Sequence, residues 1–462
     1  MRPNLQSMNF TLSLVAISAL LPSLTTLRSA PAPSSAKPNI VFILADDLGD
    51  GDLHCYGHPY ARTPNIDSLA RDGTRFLQYH ATGCTCCPAR TGLMSSKLPA
   101  TYPVYPANGG FGNHVTITEL LKKQGYATGH FGKWHVGPVT KNGTYDIDFI
   151  GATEESGGKK KHADERGRDA YIYDAAIKFI EQHKDDPFYV NVWGHIPHNP
   201  VDPVDSLVKR WSGLKVKDSD FAPQMQPKFS EVRSAHGNVD DGMQRYLADV
   251  ESLDDSVGRL LKRLDELGLS SNTIVVFNSD QGADMTKASG GGLRFNQMGY
   301  NGPQRGGKHT NWEGGLDVPW IVRWPGHVPA GRTDAQSVLS GADWLPTLCA
   351  ITGIKINLDD FDGEDTSAAW LGQGAHVRAK PLFWKTSAPG STSFVRDGQW
   401  KLAHPSRKNG GDLELYDLAA DPAEAKNVAA QHPEIVEKLS SEVEAWVATL
   451  PKEYIKTTDK QD

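Results

Sequence analysis

Two stretches constrain this chain more than any other. "NIVFILADD" (39–47) and "NTIVVFNSDQG" (272–282) are unbroken apolar runs rich in β-branched residues, and each ends in acids. A strand with no polar alternation must be buried on both faces, the condition of a central strand in a sheet covered by helices on either side. Between and around them lie helix-then-strand patterns: "PNIDSLARDGTRF", "TITELLKKQGYATG" and "YLADVESLDDSVGRLLKRLDELGL", the last ending near Gly268. Phe188–Trp193 and "VPWIVRWPG" read as further strands. Alternation of this kind predicts an α/β fold, a large mainly parallel (mixed) sheet flanked by helices. In such folds the chemistry gathers beyond the carboxyl ends of the strands.

Those ends are rich in reactive side chains. Asp46 and Asp47 close the first run, and Asp280 and Gln281 close the second. Lys133 and His135 fall in "GHFGKWHVG", His195 and His198 in "GHIPHNP", and Lys308 in "RGGKHTNWEGG". A single Asp after a strand is ordinarily a helix cap or a turn residue. That explanation has to be repeated at every strand end here. Three carboxylates and an amide oxygen form a hard, all-oxygen set suited to Ca²⁺ or Mg²⁺ rather than zinc. The Lys, Arg and His residues beside them suit an anionic substrate whose leaving group needs a proton.

The segment "GCTCCPARTG" (83–92) holds three of the five cysteines. Counted from Cys84 it is Cys-x5-Arg, the pattern of a tyrosine phosphatase loop with a thiolate nucleophile. Counted from Cys86 it is Cys-x-Pro-x-Arg, with Pro88 and Arg90. As buried thiols in a turn, the cysteines would have no chemistry. A phosphatase loop cradles its anion with successive N–H groups, and Pro88 interrupts them. A zinc site using His54, Cys55 and the cluster matches no common spacing.

The chain has 462 residues, 39% hydrophobic, with a net charge of −7. This balance gives no basic footprint for nucleic acid. Arg2, the apolar run Phe10–Leu24 and the small, Pro-rich stretch after it read as a signal peptide over 1–36, cleaved after Ala36. The expected location is therefore outside the cytoplasm, periplasmic or secreted, with no transmembrane segment. Five cysteines in an exported chain of this size make no disulfide scaffold, and a bare catalytic thiolate there would be exposed to oxidants.

Taken in order, "PNIVFILADDLG", "CCPAR", "GKWHVG", "HIPHNP", "TIVVFNSDQG", "GGKHTNWEGG" and "VPWIVRWPG" resemble the motifs of a type I, formylglycine-dependent sulfatase of the alkaline phosphatase-like superfamily. The C-terminal "VRDGQWKL" and "ELYDLAADPAEAKNVA" look like that family's smaller subdomain. The resemblance implies that Asp46, Asp47, Asp280 and Gln281 hold one Ca²⁺. It implies that Cys86, oxidised to formylglycine by a maturation enzyme, completes the shell and supplies the nucleophile. Arg90, Lys133 and His135 would orient the formylglycine hydrate. His198 and Lys308 would bind the sulfate and serve the leaving oxygen. The implied substrate is a sulfated carbohydrate. Phosphonate monoester and phosphodiester hydrolases of the same fold share the Cys motif and form the alternative.

Three departures stand out. Ser95, Ser96 and Lys97 replace the usual Thr-Gly-Arg, Gln281 replaces the commoner Asn, and Asp317 stands where Arg is frequent. The expected organisation is a catalytic domain over 37–360 and a C-terminal α+β subdomain over 361–462. A polar connector, 355–374, should lead to short strands in "STSFVRDG", "WKLAHP" and "LELYDL". The amphipathic helix "PEIVEKLSSEVEAWVATL" should then cover their antiparallel sheet. The charged segment 156–168 and the Gly-rich segment 288–307 read as loops, the second placed to shape a pocket beside Lys308.

Overall fold

In the computed structural model, residues 37–455 are described apart from 106–108, 138–140, 154–163, 286–297, 387–389 and 407–409. The expected signal peptide, most of the charged loop and much of the Gly-rich loop lie outside the described residues. In chain order the strands are β1 (Asn39–Asp46), β2 (Thr74–Phe76), β3 (Tyr79–His80), β4 (Ala127–Gly132), β5 (Phe149–Gly151), β6 (Phe188–Pro197), β7 (Thr273–Ser279), β8 (Trp320–Arg323), β9 (Arg332–Asp334), β10 (Leu339–Ser340), β11 (Leu382–Trp384), β12 (Ser393–Asp397), β13 (Trp400–His404) and β14 (Glu414–Asp417).

Eight of them form one sheet in the order β5-β4-β6-β1-β7-β8-β2-β9. From β5 to β7 all neighbours are parallel, whereas β8 runs antiparallel to both β7 and β2. The expected mainly parallel, mixed sheet is therefore present. The continuous apolar runs are its centre, and their residues alternate between two cores. Val41, Ile43, Val275 and Phe277 face one, which includes the helices Pro64–Arg71, Ala170–Gln182 and Val239–Glu266. Ile40, Phe42, Ile274 and Val276 face the other, with Leu93, Ile117 and Trp344. Each such side chain contributes about 1.5–3 kcal/mol on burial, so a polar substitution on either face is costly. The long helix Val239–Glu266 starts where the Asn238 side chain accepts from the N–H of Asp240 and Asp241, and it stops before Gly268, which adopts φ 70°.

β11–β14 form the antiparallel C-terminal sheet. One face packs Val395, Leu402 and Leu415 on Leu439 and Val443 of the helix Pro433–Thr449. The other packs Leu382, Trp384 and Phe394 against Cys84 and Leu316. Trp384 Nε1 donates to Ala81 O at 2.8 Å. A buried ion network also joins this sheet to the rest: Glu313 meets Lys401 Nζ at 2.7 Å and His80 Nε2 at 2.9 Å. The stretch 355–374, read as a polar connector, carries a buried tryptophan instead. Trp370 packs on Trp320 and Trp344 with ring centroids 5.8 and 6.0 Å apart, an anchor hidden in a polar context. Among the described residues no helix is long and apolar enough to cross a membrane.

Candidate active site

β1 and β7 are parallel neighbours with Ala45 opposite Ser279, so Asp46–Asp47 and Asp280–Gln281 emerge side by side. Asp47 turns the chain with φ 67°, a left-handed conformation uncommon outside glycine, and its N–H donates to Asp280 Oδ1 at 3.2 Å. Cys86 opens the helix Cys86–Ser95. Pro88 sits in the first turn, where a missing N–H leaves no intrahelical bond unmade. Arg90, four residues on, shares the Cys86 face. The Cys-x-Pro-x-Arg spacing is thus the spacing of a helix start with two reactive groups on one side.

These groups converge. Cys86 Sγ lies 3.4 Å from Asp46 Oδ1, 3.4 Å from Lys133 Nζ and 3.5 Å from Gln281 Nε2. Lys133 Nζ donates to Asp46 Oδ2 at 2.6 Å. Arg90 donates to Asp280 Oδ2 and, at 2.8 Å, to Lys133 O. Lys308 Nζ donates to Asp47 Oδ2 at 2.8 Å, and His198 Nε2 is 3.8 Å from the same oxygen. His198 Nδ1 donates to Asn199 O at 2.6 Å, which leaves Nε2 facing the carboxylates. His135 adopts φ 53°, and its Nδ1 is buried without a partner among the described residues. His195 lies beneath the site, with its N–H on Asp169 Oδ2 at 2.6 Å.

Burial sets the electrostatics. It raises the Asp46 carboxyl, but Lys133, His198, Arg90 and Lys308 outweigh it and hold Asp46 well below the usual carboxylate range. Asp47 is raised by burial in spite of Lys308. Burial and the adjacent Asp46 push Asp280 up to about 6. Burial, then Lys133, lowers His135 to about 3, and burial lowers His198 to about 4. Burial opposes the charge on Lys308, yet Asp47 keeps that ammonium protonated. The Cys86 thiol is pushed up to about 12 by burial and Asp46, and burial takes Cys84 to about 12. Neither thiol is a thiolate at neutral pH, and Arg90 is committed to Asp280. The tyrosine phosphatase reading fails on both counts. All five cysteines are free.

The carboxylates fit a hard divalent cation. The ligand atoms of Asp46, Asp47, Cys86 and His198 all lie within 4.8 Å of one another. Gln281 Oε1 is buried with no partner among the described residues, while its Nε2 donates to Asp47 Oδ1. Turned over, the carboxamide sets its oxygen beside a carboxylate, an arrangement that a cation between them stabilises. The His54 and Cys55 zinc reading finds no support: His54 Nδ1 is held by Asp67 at 2.9 Å, and neither residue belongs to a metal-capable group among those described. A second group, His80, Glu313 and Asp317, is already served by the cations Lys401 and Arg396.

Several supporting residues carried no motif signal. Asp52 accepts from Gly49 N at 2.7 Å and from Tyr300 N at 2.8 Å, tying the Asp46–Asp47 turn to the segment before Lys308. Arg168 Nη2 donates to His198 O at 2.8 Å and pairs with Asp249 at 3.0 Å. The departures have plain local roles. Ser95 Oγ accepts from Tyr102 at 2.7 Å, and Ser96 Oγ accepts from Gly363 N at 3.2 Å. Lys97 approaches Asp362 at 3.7 Å. Asp317 accepts from Tyr79 N at 3.1 Å and Gln304 Nε2 at 2.8 Å, in place of an ion pair of its own.

Cys86 sits among carboxylates, two lysines and an arginine, an arrangement suited to an anionic ester. The sulfatase profile matches residues 38–354, and the C-terminal profile of N-sulphoglucosamine sulphohydrolase matches 307–449. Human arylsulfatase A is 30% identical over 90% of this chain and 89% of its own length. The N-acetylgalactosamine-6-O-sulfatase of Bacteroides thetaiotaomicron is 30% identical over 89% of this chain and 93% of its own. The crystal structure of Ps i-CgsB in complex with k-i-k-neocarrahexaose superposes with a TM-score of 0.74, covering 92% of this chain and 96% of the other at 24% identity. The chain belongs to the sulfatase family, within the alkaline phosphatase-like superfamily. It is a sulfuric ester hydrolase.

Proposed function

We propose that the chain is an exported, calcium-dependent sulfatase that removes sulfate from a sulfated carbohydrate, using the hydrate of a formylglycine made from Cys86. The observation that carries this reading is the seating of Cys86 Sγ within 3.5 Å of Asp46, Lys133 and Gln281, with Lys308 and His198 both facing Asp47 Oδ2. The carbohydrate class is supported by the N-acetylgalactosamine-6-O-sulfatase relative. Export is supported by the apolar run Phe10–Leu24 and the small-residue stretch after it. The maturation reading is supported by the Cys86, Pro88, Arg90 spacing; all three are buried in the folded helix, so a maturation enzyme would meet them before folding.

Asp46, Asp47, Gln281 and Asp280 would hold Ca²⁺ with the modified Cys86; bound there, the ion supplies positive charge that offsets the incoming sulfate. The chain's own groups do the rest. Lys133 orients the geminal diol, and Arg90 acts through the Asp280 carboxylate and the Lys133 carbonyl that it holds. One diol oxygen attacks sulfur and loses its proton to Asp280. The S–O bond to the sugar breaks, and the departing oxygen takes a proton from Lys308, the ammonium that stays charged beside Asp47. The second hydroxyl then gives its proton to His135, whose Nδ1 has no competing partner among the described residues. The C–O bond to sulfate breaks, the aldehyde re-forms, and water rehydrates it. The test is turnover of matched sulfate and phosphate esters, then of a sulfated oligosaccharide panel, with peptide mass spectrometry at Cys86. A preference for phosphate esters would favour the phosphonate monoester or phosphodiester alternative instead.

A further inference from the structure

Asn301 lies in the Gly-rich segment that precedes Lys308, and it is buried. Its carboxamide works at both ends. Oδ1 accepts from Ala283 N at 2.7 Å, while Nδ2 donates to Ala283 O at 3.2 Å and to Gly306 O at 3.1 Å. An amide has two N–H groups, and both are spent here. Its orientation is fixed by these neighbours, since the reversed amide would set an oxygen against two carbonyls. The side chain thus pairs with Ala283 as an adjacent strand would, and it holds Gly306 with the N–H left over. Ala283 stands two residues after Gln281, and Gly306 two before Lys308. The Lys308 N–H donates to that same Ala283 carbonyl at 3.0 Å.

Two glycines show how closely the chain gathers on this side chain. A Cβ on Gly49, two residues after Asp47, would lie 2.5 Å from Asn301 Oδ1. A Cβ on Gly307 would lie 2.8 Å from Asn301 Nδ2 and 2.4 Å from Ala283 O. Both are well inside the contact distance of about 3.5 Å. The turn after β1, the turn after β7 and the Lys308 segment therefore meet at one amide. A lysine needs such a fixture more than most residues, because its stem is long and flexible and its ammonium has no fixed plane. The contact with Asp47 Oδ2 at 2.8 Å holds the tip of Lys308. Its root is placed by the backbone bond to Ala283, whose position Asn301 sets.

We propose that Asn301 is a positioning residue for Lys308: it fixes the root of that lysine against the strand end bearing Asp280 and Gln281, so that the ammonium meets the departing oxygen. The inference rests on the reading of Lys308 as the proton donor, and the experiment separates the two. kcat/KM of the full, matured enzyme is measured with 4-nitrophenyl sulfate and with phenyl sulfate. Nitrophenoxide is a weak base and leaves without a proton, whereas phenoxide is a stronger base and gains more from an acid. The variants are Lys308→Ala, Asn301→Ala and Asn301→Asp, and each Asn301 change combined with Lys308→Ala. Asn301→Asp keeps the size and the acceptor for Ala283 N but loses both donated bonds.

The expected result is that Lys308→Ala loses about a hundredfold more on phenyl sulfate than on 4-nitrophenyl sulfate, the scale of a general acid. Asn301→Ala and Asn301→Asp should show the same selectivity at about tenfold, the cost of a displaced catalytic group. Combined with Lys308→Ala they should add nothing to it, because residues that act as one unit are not additive. Equal loss on both esters in the Asn301 variants, beside a selective Lys308→Ala, overturns the proposal and leaves the proton donor standing. Selectivities that multiply in the combined variants also overturn it. So does failure of both Asn301 variants to fold, read by circular dichroism, which would mark Asn301 as a purely structural residue. Equal loss on both esters in Lys308→Ala is a different outcome and refutes the proton-donor reading itself, and the proposal with it.

Discussion

Arg90 donates from both Nε and Nη2 to a single oxygen of Asp280, at 2.9 and 2.7 Å, and so frees the other oxygen for the N–H groups of Asp47 and Gln281. One carboxylate therefore orients a helix, two strand ends and a turn. Both side chains are almost wholly buried. Arg90→Ala strands a buried anion and should cost about 3–5 kcal/mol in urea unfolding. Arg90→Lys keeps the charge but loses the planar fork. It should fold with a smaller loss, while kcat falls by about two orders of magnitude. Equal activity in Arg90→Lys and parent would mean that the fork is not used.

Cys86, and neither Cys84 nor Cys87, should carry the formylglycine in active protein, as read by peptide mass spectrometry. Only Cys86 has Pro two and Arg four residues on. Cys86→Ser tests the second hydroxyl. A serine can attack sulfur once, but it has no geminal hydroxyl with which to expel sulfate. The expected outcome is at most one turnover and a sulfate adduct on the intact mass. Sustained turnover at the parent rate would rule out the diol mechanism.

Chelation should abolish turnover, and added Ca²⁺ should restore it. Asp47→Asn should lower the bound metal measured by elemental analysis as well as the rate, since Asp47 also holds Lys308 at 2.8 Å. Full activity in chelator with no metal detected would refute the cation site.

His58 offers a pH test away from the site. Its Nδ1 accepts from the N–H groups of Tyr60 and Ala61 at 3.1 and 2.9 Å, so the ring is held as the neutral Nε2–H tautomer. Burial lowers its pKa to about 3. The folded pKa lies below the unfolded value of about 6.5. Its stabilisation is therefore complete above that value and is lost as pH falls from 6.5 towards 3. Between pH 7 and pH 5 the loss is about 2 kcal/mol. Relative to the parent, His58→Gln should be less stable at pH 7 by about 1–2 kcal/mol, and the gap should close at pH 5. A gap that stays constant with pH would show that His58 does not titrate on unfolding.

The central strands, the helices between them, the Cys86, Pro88, Arg90 motif and the reactive groups at the strand ends were legible in the chain, because hydrophobic period, turn chemistry and short motifs are local; that the motif opens a helix was not. Asp47 and Lys308, Arg90 and Asp280, and Cys86 and Gln281 could be named as members of one set, but nothing local says which touches which. Those pairs are set by the register of β1 against β7 and by the docking of the helix Cys86–Ser95, both long-range. The antiparallel β8 was not readable, since a short apolar strand looks the same in either direction. Trp370 was hidden in a polar stretch because one aromatic can anchor a segment that composition calls solvent-facing. Asp52 and Arg168 matter through backbone groups they hold, which leave no side-chain pattern.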